Sequence, residues 1–315
     1  MSAPRLAIVG VGALGRHHAR VAGELSGAEV SGVFDTDAAR ATAVAREFGL
    51  HAHASLEGAV AESDAAVIAT PTVAHHAVAM RFLREGKSVL IEKPIAPTLA
   101  QADELVSAAE AGGAVLHVGH VEFHNPAVAA VLSAVGAPRF IETHRLAVFT
   151  ARSLDVDVVL DLMIHDLQIT QALVGRPVAE VRAAGVAVLT PTVDIANARI
   201  AFEGGCVANL TASRVSADRV RKYRIFAPSL YVSIDMAAQE VGAFRLQVRP
   251  DGPPQIVPAA FPVEKEEPLK RELAEFLRAC RGEPSRAVSG RQGRDALALA
   301  LEVRQAIDRH QRDVA

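Results

Sequence analysis

Leu6-Ala7-Ile8-Val9-Gly10-Val11-Gly12-Ala13-Leu14-Gly15 is the stretch that decides the fold of this chain. Four apolar residues lead directly into the pattern Gly-x-Gly-x-x-Gly, and apolar residues at helical spacing then continue to Leu25. This order predicts a buried strand, a tight turn and a helix N-terminus, the arrangement that binds a dinucleotide pyrophosphate. Gly10 allows the turn, Gly12 lets the phosphates approach the backbone, and Gly15 lets helix and strand pack closely. The free N–H groups at Ala13 and Leu14 then face the phosphates.

A second predicted strand, residues 29–34, ends at Asp35, twenty residues after Gly15. An acidic residue at this position accepts hydrogen bonds from the adenosine ribose hydroxyls and repels a 2′-phosphate. Thr36 and Asp37 follow, and no adjacent arginine is present to pair with such a phosphate. The sequence therefore predicts NAD rather than NADP as the cofactor.

The composition argues against several classes of protein. The chain has 315 residues, of which 50% are hydrophobic, and this is enough for two domains with cores of their own. A net charge of −3, no Trp and two Tyr provide neither a basic surface nor a stacking platform for nucleic acid. No apolar run approaches the roughly 20 residues of a membrane span, and the N-terminal run is too short and glycine-broken for a signal peptide. Cys206 and Cys280 lie far apart, which is typical of a reducing cytoplasm.

The spacing of apolar residues divides the chain into two predicted domains. In residues 1–121 short apolar runs alternate with amphipathic helices, which predicts a Rossmann domain with a doubly wound parallel sheet. In residues 122–315 strand-like runs follow one another through short turns, which predicts an α/β domain with a large, mostly antiparallel open sheet. The predicted helices cover 13–25, 37–48 with Thr36 as N-cap, 73–85, 98–111, 126–135, 158–174, 264–281 and 291–310; a short strand is predicted at 51–54 and an exposed, proline-rich connection at 250–268.

Two groups of polar residues are candidates for chemistry. Lys93, in Glu92-Lys93-Pro94, directly follows a predicted parallel strand, where its ammonium group can donate to a substrate oxygen. Asp161 and His165 are four residues apart and share one face of a largely apolar helix. They are either a satisfied core pair, or a general base, His165, with Asp161 and Lys93 as orienting and proton-sharing groups. Asp166 points elsewhere and is interpreted as structural.

Four motifs together resemble the oxidoreductase family of glucose–fructose oxidoreductase, inositol dehydrogenase and rhizopine catabolism proteins (Gfo/Idh/MocA). In chain order they are Gly10-x-Gly12-x-x-Gly15, Ala69-Thr70-Pro71-Thr72-x-x-His75, Glu92-Lys93-Pro94 and Asp161-x-x-x-His165. The resemblance implies an NAD-binding Rossmann domain followed by an α/β domain whose open sheet is used for oligomerisation. It implies Lys93, Asp161 and His165 as catalytic residues. It places Thr70, Pro71, His75, Glu92 and Lys93 at the cofactor.

Three further stretches are similar to the branch of this family that oxidises UDP-N-acetylglucosamine at C3. They are residues 119–126, residues 154–166 and the basic segment 213–226. In that branch the 3-keto sugar passes to an aminotransferase and becomes a 3-amino sugar for lipid A. The branch pattern Glu-Arg-Phe-Asn-Pro reads Glu122-Phe123-His124-Asn125-Pro126 here, without the arginine. The resemblance implies substrate contacts from His120, Glu122 and Asn125.

Arg214, Arg221 and Lys222 belong to the basic segment and match the charge of a UDP group, because arginine binds phosphate in a bidentate manner. The alternative is a solvated strand face. His120, Glu122 and His124 would share a face of a strand, and we interpret them as sugar contacts rather than as zinc ligands. The sequence thus favours an NAD-dependent sugar dehydrogenase without a metal. A polyol or cyclitol dehydrogenase, or a non-catalytic NAD-dependent sensor, remain as alternatives.

Overall fold

A computed structural model describes residues 3–150, 156–250 and 252–314. The chain forms two compact units and passes three times from one to the other. Residues 1–124 and 267–295 form the first unit, and residues 125–266 and 296–315 form the second. The sequence pattern placed one boundary after residue 121. It carries no signal that residues 267–295 return to the first unit, because an amphipathic helix does not reveal which core it covers.

The first unit is an open parallel sheet with helices. Its elements are β1 (Arg5–Val9), α1 (Ala13–Glu24), β2 (Glu29–Phe34), α2 (Ala38–Phe48), α3 (Leu56–Ala61), β3 (Ala65–Ile68), α4 (Thr72–Leu83), β4 (Ser88–Glu92), α5 (Leu99–Gly112), β5 (Leu116–Gly119) and a 3₁₀ turn (Val121–His124). The strand order β2-β1-β3-β4-β5 is that of a doubly wound sheet and confirms the predicted class. Strands β1 and β3 are apolar throughout their buried length, as strands covered on both faces must be.

The second unit contains an eight-stranded sheet. Its elements are α6 (Pro126–Leu132), β6 (Phe140–Leu146), a π turn (Val159–Met163), α7 (Ile164–Val174), β7 (Val178–Val186), β8 (Ile195–Phe202), β9 (Val207–Ser213), β10 (Val220–Ala227), β11 (Leu230–Asp235), β12 (Glu240–Arg249) and β13 (Gly252–Pro258); the chain then continues through α8 (Pro268–Cys280) and α9 (Gly290–Val314). The strand order is β13-β12-β11-β10-β6-β9-β8-β7. Only the β6–β9 pair is parallel, which confirms the mostly antiparallel sheet.

Helix α8 lies in the sequence after the second sheet but completes the core of the first unit. Its residues Leu269, Leu273 and Phe276 are spaced three to four apart and therefore share one face. They pack in one cluster with Leu6 and Ile8 of β1. The first sheet therefore depends on residues nearly 150 positions beyond its last strand.

One face of the second sheet is open and carries a row of aromatic side chains across neighbouring strands. The ring centroid of Phe226 lies 5.7 Å from that of Phe140 and 5.1 Å from that of Tyr231. Phe244 pairs with Tyr231 in the next strand and is 49% exposed. Val248, further along the same strand, is 77% exposed. We call this surface the open face.

Several local predictions differ from the structure. Asp37, not Thr36, caps α2, since its side chain accepts a hydrogen bond from Arg40 N. The predicted strand at 51–54 is only an isolated bridge between Ala52 and Val33, and the short helix α3 was missed. The interpretation of residues 250–268 as an exposed connection was wrong for Gly252–Pro258, because an edge strand tolerates proline. None of the helices in the described part of the chain is both long and apolar enough to cross a membrane.

Candidate active site

Three glycines shape the turn between β1 and α1, and they do so differently. Gly10 has φ 83°, and a Cβ there would lie 2.8 Å from the backbone of Ala69 and Thr70. A Cβ on Gly15 would lie 1.8 Å from the carbonyl oxygen of Gly10. Gly12, the N-cap of α1, differs because a Cβ there would meet no described atom within 4 Å. Gly10 and Gly15 are therefore required by the packing. Gly12 instead keeps the approach to the helix N-terminus open, as a dinucleotide pyrophosphate needs.

Asp35 is held at the end of β2 with its carboxylate close to the glycine turn. Its Oδ2 accepts a hydrogen bond from Val11 N at 2.9 Å, and its Oδ1 accepts one from Asp37 N at 2.9 Å. The sequence argument missed Arg40, whose guanidinium lies 3.3 Å from Oδ1 of Asp35 and 3.2 Å from the carboxylate of Asp37. Two carboxylates around one guanidinium leave this end of the site net negative, which disfavours a 2′-phosphate.

His75 connects the loops that follow β3 and β4. Its Nε2 lies 2.9 Å from Thr70 O, and its Nδ1 lies 2.9 Å from Pro94 O. Burial lowers the pKa of His75, and both carbonyl contacts oppose this shift because each one favours an N–H. Pro71 starts α4 between these loops. His75 is thus buried against backbone and connects the two loops to each other.

Glu92 also points into the protein. Its Oε1 lies 2.7 Å from Nε2 of the buried His18, and its Oε2 accepts a hydrogen bond from Lys93 N at 3.2 Å. The peptide bond between Lys93 and Pro94 is cis. Sequence reasoning grouped Glu92 with the cofactor and missed His18, although its place on the buried side of α1, three residues after Gly15, was a signal.

Residues 117–124 bring three buried histidines together at the end of the first sheet. Residues 121–124 form a 3₁₀ turn and not a strand, so His120, Glu122 and His124 do not share one strand face. Burial lowers the pKa of His120 to about 3, and the charges of Lys93 and His124 act in the same direction. Burial also lowers the pKa of His117 and of His124 to about 4. All three are therefore neutral at pH 7 and can accept or donate hydrogen bonds without carrying a charge.

In the second unit, Asp161 and His165 lie on two different kinds of helix. Asp161 belongs to the π turn and His165 to the first turn of α7, so the single predicted helix has two parts. Asp157 starts this segment, because its Oδ1 accepts hydrogen bonds from Val159 N and Leu160 N at 3.0 Å. A π turn inserted into a helix frequently marks a functional site. His165 is buried and Asp161 half-buried.

Asp166, interpreted from the sequence as structural, fixes α7 to the sheet. It forms a bidentate pair with Arg145 of β6, with N–O distances of 2.7 and 2.9 Å. One turn later, Thr170 Oγ1 lies 2.5 Å from the hydroxyl of the buried Tyr223. These contacts fix α7, which carries His165 next to Asp166, to the sheet. No pattern in the sequence indicated this role for Arg145.

The predicted substrate residues of the second unit do not converge. Arg214 is buried, donates to Val156 O at 2.6 Å and lies 3.7 Å from Asp194. Lys222 points to the open face, 3.9 Å from Asp235, while Arg221 is its neighbour on the strand and so faces the other side. Asn125 uses its amide to cap α6 and to donate to Met236 O at 2.9 Å. Of the stretch 154–166, residues 154 and 155 lie outside the described residues.

Two family models match the chain. Residues 4–120 match the model described as "Oxidoreductase family, NAD-binding Rossmann fold", and residues 99–228 match the "GFO/IDH/MocA C-terminal domain". Together they cover the first sheet and most of the second.

Similar proteins and solved structures agree with these models. The chain is 40% identical to the UDP-N-acetylglucosamine 3-dehydrogenase of Acidithiobacillus ferrooxidans, over 96% of this chain and 97% of the relative. A solved structure of that dehydrogenase covers 98% of both chains with a TM-score of 0.90. The scyllo-inositol 2-dehydrogenase (NAD(+)) of Bacillus subtilis is 28% identical over 67% of this chain and 68% of the relative. A probable dehydrogenase from Thermotoga maritima, 19% identical over 97% of both chains with a TM-score of 0.83, shares the fold.

Proposed function

The chain belongs to the Gfo/Idh/MocA oxidoreductase family and has its NAD-binding Rossmann fold, and from this premise we propose that it oxidises UDP-N-acetylglucosamine at C3 with NAD. The observation that supports this substrate is the 40% identity along nearly the whole length of both chains to a UDP-N-acetylglucosamine 3-dehydrogenase. The inositol-type relative matches only about two thirds of its length at 28% identity. The fold alone would not choose between these substrates.

The bound NAD supplies the hydride acceptor, and the protein supplies position and proton transfer. In our proposal the His165 imidazole takes the proton of the substrate hydroxyl, since a neutral histidine is the usual general base near pH 7. Lys93 stabilises the negative charge that develops on that oxygen. Asp161 orients His165 or Lys93. The ion pair of Asp166 with Arg145 supports this assignment, because it fixes the position of the helix turn that carries His165.

The substrate contacts form a second part of the proposal. We assign His120 and Glu122 to the sugar, since a neutral imidazole and a carboxyl group at the end of the first sheet can both form hydrogen bonds with sugar hydroxyls. Arg221 is the candidate for the diphosphate among the basic residues. The predicted contacts of Asn125, Arg214 and Lys222 remain proposals, and the partners described above favour an indirect role for each of them. The 3-keto product would be consumed by an aminotransferase.

The decisive assay is NADH absorbance after mixing the protein with NAD and UDP-N-acetylglucosamine, with a hydrazine to trap the ketone. We expect NADH formation, an adduct whose fragmentation places the ketone at C3, and inhibition by UDP. A signal with inositol or a simple aldose, without UDP inhibition, would change the substrate class. NAD binding without turnover of any sugar would favour a sensor.

Lys93→Met tests the mechanism within the same assay. Loss of the ammonium group should abolish turnover while the Kd for NAD stays nearly unchanged, because Lys93 acts on the substrate oxygen. A variant that loses NAD binding as well would show that Lys93 serves the cofactor instead. Arg182→Gln, which removes an exposed positive charge on β7, is the matched surface control and should keep wild-type turnover.

We also propose that two copies associate through the open face and that the enzyme acts in the cytoplasm. The exposed aromatic row, which ends at Phe244 on β12, is a contiguous apolar surface of the kind that marks a protein interface. A cytoplasmic location is supported by the two free thiols, Cys206 and Cys280, which remain unpaired in a reducing compartment.

A further inference from the structure

A buried group of three ionisable side chains lies directly behind Lys93 in the first unit. Each of His18, Glu92 and Glu272 has a nitrogen or carboxylate oxygen within 4.8 Å of those of the other two. They come from α1, from the end of β4 and from α8. Glu272 is 0% exposed, and neither of its carboxylate oxygens has a hydrogen-bond partner among the described residues. A fully buried glutamate without a cation beside it requires an explanation.

Space for the Glu92 carboxylate is made by Gly119, the residue opposite it on β5. A Cβ at Gly119 would lie 2.9 to 3.1 Å from the carboxylate atoms of Glu92. The carboxylate is thereby confined between His18 on one oxygen and the backbone N–H of Lys93 on the other. Its position sets the direction in which the chain enters Lys93.

Two negative charges cannot both be accommodated in this space. Burial, and next the charge of Glu92, raise the pKa of Glu272 well above its ordinary value. His18 Nε2 can offer its N–H to Glu92, whereas neither oxygen of Glu272 accepts a hydrogen bond from any described residue. A protonated Glu272 removes this conflict, since its O–H is attracted to the neighbouring carboxylate whereas a second carboxylate would repel it.

We propose that Glu272 is a positioning residue for Lys93: as a neutral carboxylic acid it holds the Glu92 carboxylate in place, and Glu92 holds the backbone of Lys93. The proposal rests on the proposed function only for the catalytic importance of Lys93. The acid itself is a property of the folded first unit, and it can be observed without any substrate.

Infrared spectroscopy of the full chain tests the acid directly. At neutral pH the wild type should show a C=O stretching band of a protonated carboxylic acid that shifts in D2O and disappears in Glu272→Gln. The same substitution at Glu275, a partly exposed glutamate on the same helix, should leave the band intact. Absence of such a band in the wild type overturns the proposal. A stoichiometric divalent metal in the purified protein, lost in Glu272→Gln, would also overturn it, since the three side chains would then be metal ligands.

Kinetics test the positioning role. Glu272→Gln keeps a neutral donor of the same shape and should retain kcat within about twofold, whereas Glu272→Leu should lower kcat at least about tenfold with the KM for NAD within about twofold. Equal kcat values in the two variants would contradict the proposal. If Glu272→Leu does not fold, the infrared result on Glu272→Gln decides. If the wild type turns over no nucleotide sugar, the proposed function fails while the infrared test of Glu272 still stands.

Discussion

Three of the four glycines in helix α1 and its preceding turn allow a test in which the same substitution has three different outcomes. Gly12, Gly15 and Gly23 would each receive one methyl group. A Cβ on Gly12 or Gly23 meets no described atom within 4 Å, whereas one on Gly15 lies 1.8 Å from Gly10 O. Only the surroundings differ, so the substitution to alanine isolates packing, cofactor approach and helix propensity from one another.

The expected magnitudes follow from these distances. Ordinary contact begins at about 3.4 Å, so α1 must move by roughly 1.6 Å to accept Gly15→Ala, and overpacking of this kind costs about 1–3 kcal/mol or more of the free energy of unfolding. Gly23 is exposed in the last turn of α1, and Gly23→Ala should stabilise the protein by up to about 0.5–1 kcal/mol. Gly12→Ala should lower the free energy of unfolding by about 1 kcal/mol, since Gly12 is the N-cap of α1 and alanine is a much poorer N-cap than glycine.

Cofactor affinity separates Gly12 from its control. Its methyl group would occupy the approach of the pyrophosphate, so we expect the Kd for NAD to rise at least tenfold, which is about 1.4 kcal/mol. Gly23→Ala should bind NAD like the wild type. Urea denaturation and isothermal titration calorimetry measure the two quantities independently, and calorimetry needs no tryptophan signal. Unchanged NAD affinity in a folded Gly12→Ala variant would refute the placement of the pyrophosphate over Gly12.

Three further predictions concern the second unit. The side chains of Arg145 and Asp166 are 5% and 4% exposed, so Asp166→Leu leaves the charge of Arg145 buried and should lower the free energy of unfolding by about 3–5 kcal/mol, as measured in urea. The double variant Arg145→Met/Asp166→Leu should recover most of this loss. No recovery would show that the ion pair is not the cause. Desolvation raises the pKa of Asp194, but hydrogen bonds from Thr190 and three backbone N–H groups outweigh it and lower the pKa to about 2. This carboxylate therefore stabilises the fold by about 2 kcal/mol above pH 4, and the stability difference between wild type and Asp194→Asn should shrink as the pH falls from about 4 to about 2. Phe244→Glu on the open face should convert a dimer to a monomer in light scattering, and a wild type that is already monomeric at micromolar concentration would contradict the proposed association.

The parts of this protein that could be predicted from the sequence are those governed by neighbours along the chain. The strand, glycine turn and helix at residues 6–25 follow from local periodicity and turn chemistry. Asp35 was found because its distance from Gly15 is set by one βαβ unit. The spacing of Asp161 and His165 singled out their helix, although nothing in the residues announced its π turn.

What the sequence did not reveal depends on residues brought together from distant positions. Arg40 reaches Asp35 only because α2 turns its first exposed face towards the end of β2. His18, Glu92 and Glu272 are separated by 74 and 180 positions, and each one alone reads as an ordinary polar residue on a helix or strand end. The basic segment is a related case: alternation along β10 places Arg221 and Lys222 on opposite faces of the sheet, and the spacing of charges in the sequence did not reveal this separation.

The return of α8 to the first unit also has a consequence for synthesis of the protein on the ribosome. The last strand of the parallel sheet is translated by residue 119, but the helix that completes the core of this unit ends only at residue 280. At about 5–20 residues per second, this leaves an interval of roughly 8 to 30 s in which the nascent sheet exposes the apolar surface later covered by Leu269, Leu273 and Phe276. The growing chain therefore presents a binding surface to chaperones throughout the translation of the second sheet, and a polypeptide truncated before α8 is expected to aggregate rather than to yield a separate nucleotide-binding domain.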